Sequence, residues 1–215
     1  MAGVSADRVR ANVERIRAEI DAAARRAGRD PAGVELLTAV KYVDVDDLDA
    51  LLAAGLTLFG ENRAQQLEAK HAAHPEARWH FIGQLQSRKV KTILPLVELV
   101  HSVASDSALA QLERHGTPET EILVEVNVAG EEEKAGIAPE DLADFLARAP
   151  VRVAGLMGMP PFAEDPEASR PHFAALRELA SEHGLHHLSM GTSQDYVVAV
   201  EEGATIVRLG SVLFS

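Results

Sequence analysis

Between Glu35 and Tyr42 the chain reads E-L-L-T-A-V-K-Y, an apolar run of strand length that ends in a lysine. Strand geometry sends alternate side chains to opposite faces, so Leu37, Ala39 and Lys41 share one side and Leu36, Thr38 and Val40 the other. Apolarity on both sides predicts a strand covered on both faces, as in a parallel sheet. Ahead of it, Val9, Val13, Ile16 and Ile20 recur at four-three-four spacing. This predicts an amphipathic helix over 5–27, with Ser5 as N-cap, Asp7 in the first turn and Gly28 as the stop. Arg25, Arg26 and Arg29 suit the negative end of that helix.

The same two periods then alternate. Helices are predicted over 45–54, 63–73, 87–94, 105–115, 139–149, 171–183 and 194–202. Strands are predicted over 57–59, 79–82, 99–103, 121–127, 151–156, 187–189 and 205–209, which with the first makes eight. Eight alternations predict an α/β fold, a (β/α)8 TIM-type barrel with an extra N-terminal helix, and residues 1–215 as a single domain. An open doubly wound sheet is the alternative, but no G-x-G-x-x-G follows the first strand. The segment 158–170, with three prolines, predicts a mobile loop over one face, and long loops in compact domains often carry function.

Charge and composition narrow the partners. Acidic side chains outnumber basic ones 33 to 21, a net charge of −12 that argues against nucleic acid and anionic membranes. Without cysteine there are no disulfides, thiolate nucleophiles or Cys-ligated zinc. His186 and His187 alternate faces and lack matching carboxylates, so no metal site is expected. The N-terminus has no apolar signal core, and no run approaches the roughly 18 apolar residues that span a bilayer. A soluble cytoplasmic protein is the expectation.

In a β/α barrel the strand C-termini share one mouth, so residues distant in sequence converge there. The unusual ones are Lys41, Gly60-Glu61-Asn62, His80, Asn127, Met157-Gly158, Ser189 to Ser193, and Arg208 to Ser211. An ammonium near apolar walls loses hydration, which favours the free amine that attacks a carbonyl and forms a Schiff base. The plain alternative is a strand-end lysine that reaches water. Loops after strands seven and eight are the habitual phosphate site of this fold. Gly191 permits close backbone approach, Thr192 and Ser193 offer hydroxyls and helix caps, and Gly210-Ser211 offers a second nest.

A Schiff-base lysine facing a phosphate nest across the mouth points to a phosphorylated aldehyde, of which pyridoxal 5′-phosphate (PLP) is the commonest cofactor. Arg208, inside the apolar run I-V-R-L-G, calls for a partner such as a ring nitrogen or a carboxylate. Against a pyridine nitrogen its permanent charge would keep that nitrogen unprotonated, which favours holding the cofactor over racemising or decarboxylating with it. His80, on an apolar strand, reads first as a satisfied core histidine. Residues 131–134, E-E-E-K, read as a solvated charge run with Lys134 as a second amine. Lys89 and Lys91 read as a basic helix start or a phosphate-contacting patch.

Several ordered motifs go further. They are A-V-K at Lys41, F-G-E-N at 59–62, W-H-F-I-G-Q-L-Q-S at 79–87, V-H-S-V at 100–103, V-N-V-A-G-E at 126–131, G-L-M at 155–157, L-S-M-G at 188–191 and A-T-I-V-R-L-G at 204–210. Together they resemble the pyridoxal phosphate homeostasis proteins, single-domain relatives of the alanine racemase N-terminal barrel, over almost the whole chain. The resemblance implies PLP held as a Schiff base on Lys41, with Asn62 and His80 near the ring and Arg208 at the pyridine nitrogen. It assigns the phosphate to Ser189, Gly191, Ser193, Gly210 and Ser211. It also implies cofactor buffering and delivery, with PLP-dependent enzymes as transient recipients and no robust catalytic turnover. Thr192 and Ser211 stand where the family commonly has methionine and threonine, and Tyr42 and Arg63 also depart from its pattern.

Three rivals remain. An amino-acid racemase needs a second base, which relatives supply as a tyrosine from an added C-terminal domain; here Tyr42 and Tyr196 are the only tyrosines. A cofactor-free lysine aldolase would also use a Schiff base. A purely partner-binding role leaves Lys41, the nests and Arg208 unexplained. Closed barrels have no free sheet edge, so a monomer is expected.

Overall fold

Alternation along each strand divides the apolar side chains into two cores, and that division shapes the fold. In the computed structural model, which describes residues 5–131 and 134–214, eight parallel strands close into a barrel. They are β1 (Glu35–Ala39), β2 (Leu58–Glu61), β3 (Arg78–Phe81), β4 (Leu99–Val103), β5 (Glu121–Glu125), β6 (Arg152–Met157), β7 (His187–Ser189) and β8 (Ile206–Leu209). Each pairs with the next, and β8 pairs back onto β1 with Leu37 opposite Arg208 and Thr38 opposite Leu209. Leu37, Leu58, Leu99, Leu123, Ala154, Met157 and Ile206 fill the barrel. The opposite faces, including Leu36, Phe59, Trp79, Val100, Ile122 and Val207, pack outward against the helices.

Those helices are α1 (Ala6–Arg26), α2 (Leu48–Ala53), α3 (Ala64–Ala73), α4 (Val90–Ile93), α5 (Asp106–His115), α6 (Leu142–Ala147), α7 (Arg170–Glu182), α8 (Tyr196–Glu201) and α9 (Ser211–Phe214). α1 precedes the barrel, as the spacing of its apolar residues predicts, and buries Val9, Ile16 and Ile20. Its terminal arginines do more than face a dipole. Arg26 pairs with Glu201 at 2.7 Å, and Arg29 donates to the Val200 and Ala204 carbonyls, so the helix is pinned to α8 and the turn after it. At this same end of the barrel, where the strands begin, Arg78 bridges Glu35 and Glu98, while Arg152 pairs with Glu121.

Several boundaries differ from the sequence reading. β1 stops at Ala39 because the Val43 N–H donates back to the Val40 carbonyl at 3.0 Å and turns the chain. β2 runs on through Gly60 and Glu61. The helix expected over 87–94 is a 3-10 turn, a four-residue α4 and a second 3-10 turn that contains Pro95. The helix expected over 194–202 starts late, since Asp195 ties back the Thr192 amide and hydroxyl. Segment 158–170 ends in the 3-10 turn Pro166–Ser169, where Asp165 accepts from the Glu167 amide. Gly155 is forced by close approach: a Cβ there would overlap the His187 carbonyl on β7.

Candidate functional site

Lys41 lies in the turn after β1, two residues past the strand end. It is exposed, and its ammonium sits 4.8 Å from the centre of the Tyr42 ring. The expectation of apolar walls around this lysine therefore does not hold, because the shortened strand carries it beyond the packed layer. It opens on a groove of about 480 Å³ shared with Tyr42, Asp44, Arg63 and Gln66. Closure of the barrel also changes its relation to the glycine loops. β8 adjoins β1, and Gly210 sits so close that an added Cβ would be 3.5 Å from the Ala39 carbonyl oxygen. Lysine and loop are neighbours on one rim rather than opposed across it.

Two loops form the nest. Gly191 has φ +91°, a left-handed conformation that only glycine adopts without strain, and a Cβ there would be 2.5 Å from that of Ala199. The Ser193 hydroxyl accepts from the Gly210 and Val212 amides at 3.3 and 3.5 Å, stitching the β7 and β8 loops together. Both bonds are long, so either amide has more to gain from an anionic oxygen. Among the described residues nothing accepts from the Ser193 or Ser211 amides. Thr192, in contrast, is committed to Asp195, whose second oxygen accepts from Ser169.

Beneath the mouth a chain of hydrogen bonds crosses the barrel. His80 on β3 meets His101 on β4 at 2.9 Å, and His101 meets the Ser189 hydroxyl on β7 at 2.8 Å. Arg208 on β8 donates to that hydroxyl and to the Ser189 and Gly158 carbonyls at 2.6, 2.7 and 3.2 Å. Burial pushes its guanidinium down to about 10, with Asp195 and Glu125 opposing. Neutral acceptors thus satisfy most of Arg208, and among the described residues its Nε–H is unspent. Ser189 has its hydroxyl inside the barrel, below the loop amides. Asn62, at the end of β2, has a buried Oδ1 with no partner among the described residues. This orphaned oxygen, the underused amides and the glycine cradle suit a phosphorylated, hydrogen-bonding ligand.

The two histidines predict a pH dependence. Burial, then Arg78 and His187, pushes His80 down to about 3 from 6.5; burial, then His80 and Arg208, pushes His101 well below the same value. Glu98 lies 3.8 Å from His80, but it is half exposed and already bound to Arg78, so burial wins. Below pH 6.5 the unfolded chain takes up protons that these folded histidines refuse, so their contribution to stability is lost as pH falls toward 3. For His80 the expected loss is about 1.5 kcal/mol between pH 6.5 and 5, and His101 adds to it in the same direction. Denaturant unfolding at the two pH values should show it, and His101→Asn should lessen the dependence; an unchanged slope would mean that His101 is already charged in the fold.

A lysine unforeseen in the sequence reading, Lys70, braces the rim together with Glu61, which stood among the strand ends. Glu61 and Lys70 are 0% and 2% exposed and pair at 2.6 Å. Lys70 also donates to the Val40 carbonyl at 2.6 Å, and the other Glu61 oxygen accepts from the Asn62 and Arg63 amides. His101 was likewise legible only as part of a motif. Of the charge run, Glu131 and Lys134 pair with each other, while Glu132 and Glu133 lie outside the described residues. Lys89 lines a separate groove with Arg63, Arg88 and Gln86. No group of three metal-ligating side chains occurs among the described residues, and no described helix is long and apolar enough to cross a membrane.

Fold and site define a β/α barrel with an accessible lysine beside two glycine-bearing loops whose amides are underused. Residues 4–215 match the family model for the alanine racemase N-terminal domain. The chain is 41% identical to the pyridoxal phosphate homeostasis protein of Aquifex aeolicus, covering 94% of this chain and 95% of that one. It is equally identical to the Pseudomonas aeruginosa protein of that name, over 94% and 93%. Among solved structures, PipY of Synechococcus elongatus with PLP bound superposes with a TM-score of 0.79 at 28% identity, covering 96% of this chain and all of that one. The chain therefore belongs to the pyridoxal phosphate homeostasis protein family, within the alanine racemase N-terminal class. A lysine/ornithine decarboxylase of Vibrio vulnificus, at 15% identity and TM-score 0.72, shares the fold alone.

Proposed function

We propose that this chain binds PLP through a covalent link to Lys41 and buffers and hands on the cofactor in the cytoplasm, as a monomer and without robust turnover. The observation that carries the reading is the β1–β8 pairing, which sets an accessible lysine beside the Gly210-Ser211 loop. Amides of Ser193, Gly210, Ser211 and Val212 would hold the phosphate, with Gly191 leaving room for it. Arg208 would offer its spare N–H to the ring nitrogen, and Asn62 would offer its unpaired oxygen to the ligand. Bound there, PLP supplies an aldehyde. The exposed Lys41 amine would be the group presented to that aldehyde, and the open rim would leave water access to the link.

Exposure of Lys41 supports a carrier, since a cofactor to be handed on needs a route for water and for a recipient PLP-dependent enzyme. The residues argue against racemisation. Tyr196 is buried with its hydroxyl on Glu19, and Tyr42 stacks beside Lys41 itself, so neither stands ready as an opposed second base. The test is the absorbance spectrum of purified protein loaded with PLP, followed by borohydride reduction and peptide mapping, then transfer to a cofactor-free PLP enzyme. Label on the Lys41 peptide with transfer faster than from free solution supports the reading. A colourless, unlabelled protein, or robust α-proton exchange of alanine that depends on Lys41, overturns it.

A further inference from the structure

The mouth contains a device that the binding reading leaves unused. Lys70 lies on the buried stripe of α3, with Ala64 and Leu67 at successive three-residue steps. An ammonium so deeply buried needs partners, and this one has two at 2.6 Å: the Glu61 carboxylate and the Val40 carbonyl. Val40 immediately precedes Lys41, and its carbonyl also accepts from the Val43 amide, which closes the turn that carries Lys41. Glu61 in turn holds the amides of Asn62 and Arg63. One buried ion pair therefore joins the end of β1, the end of β2 and α3.

We propose that Lys70 is a positioning residue for Lys41: its bond to the Val40 carbonyl fixes the 40–43 turn, so that the Lys41 amine is presented to a ligand aldehyde at the rim. The inference rests on Lys41 as the point of attachment. A charge-assisted hydrogen bond to the backbone directly before the reacting residue restricts that residue's φ and ψ without touching the ligand. Ordering already present in the free protein is ordering that the covalent step does not have to supply. Lys70 itself is too deeply enclosed to serve as a competing amine.

The test compares PLP with 4′-deoxypyridoxine 5′-phosphate, which keeps the ring and phosphate but lacks the aldehyde. The variant is Lys70→Met with Glu61→Gln, which removes both charges together and retains an acceptor for the Asn62 and Arg63 amides. Its PLP affinity should fall by about tenfold, the worth of one hydrogen bond with a charged donor, while its affinity for the aldehyde-free analogue stays unchanged. In the ligand-free variant, hydrogen exchange at the Val43 amide should quicken. Equal losses for both ligands, or no loss for either, overturn the proposal, because a merely structural brace does not distinguish an aldehyde from a methyl group. Should the neutral pair not fold, Lys70→Gln serves in its place: its amide still gives Glu61 a donor but is one bond too short to span both acceptors, and the same selective loss is expected. Failure of the underlying reading looks different, since wild-type protein would then bind the two ligands alike or carry the label on another lysine.

Discussion

Lys41→Ala should abolish covalent retention of PLP: after borohydride reduction and unfolding, no peptide carries the cofactor mass, and the visible band of the loaded protein is gone. The fold should hardly notice. Lys41 is exposed and its one described contact is the Tyr42 ring, so the stability cost should stay within about 1 kcal/mol, the scale of an exposed cation–π pair. Reversible binding should persist, because the amides of Ser193, Gly210, Ser211 and Val212 and the Arg208 guanidinium lie on β7, β8 and their loops rather than on the Lys41 turn. Fluorescence titration of the variant with PLP and with its aldehyde-free analogue should give nearly equal affinities. A cofactor mass found on a different peptide would move the attachment, with Lys134 the first to examine; its ion pair with Glu131 would then have to open.

The barrel was legible because its two periods are clean. Strands such as β1 and β6 carry apolar residues on both faces, their helices stop at glycine or proline, and their order leaves few topologies for eight alternations. The loop glycines and Lys41 stood out as candidate chemistry by their place at the strand ends, and the structure sets them on one rim. What escaped was whatever depends on where a side chain's partner lies. Nothing local says that the Ser189 hydroxyl turns inward to His101 and Arg208 while Ser193 stays at the loops. Lys41 was expected inside apolar walls because the hydrophobic run continues to Tyr42, yet the Val43 amide ends the strand by a bond that the pattern cannot reveal. Lys70 did leave a trace, a lysine on the buried stripe of α3, which signals a buried partner without naming it.

That partner sets the largest expected stability effect in the molecule. Lys70→Met alone removes the cation from a pair in which both side chains are enclosed, leaving Glu61 with a charge and no counter-ion and the Val40 carbonyl with the Val43 amide but no charged donor. The penalty for orphaning one member of such a pair is about 3–5 kcal/mol, far above the worth of any single surface bridge here. Several of those bridges, such as Arg10–Asp7 and Arg25–Asp21, are mostly exposed and contribute little. Adding Glu61→Gln to Lys70→Met removes the stranded charge and should recover most of the loss, since a neutral pair of similar shape no longer has to be desolvated as an ion. Urea unfolding of the wild type, both single variants and the double gives the coupling between the two sites directly. A Lys70→Met protein within about 1 kcal/mol of wild type would mean that water reaches Glu61 and that the pair braces the rim only weakly. A large coupling, recovered in the double variant, would separate what the pair does for stability from what its lysine does for the turn that carries Lys41.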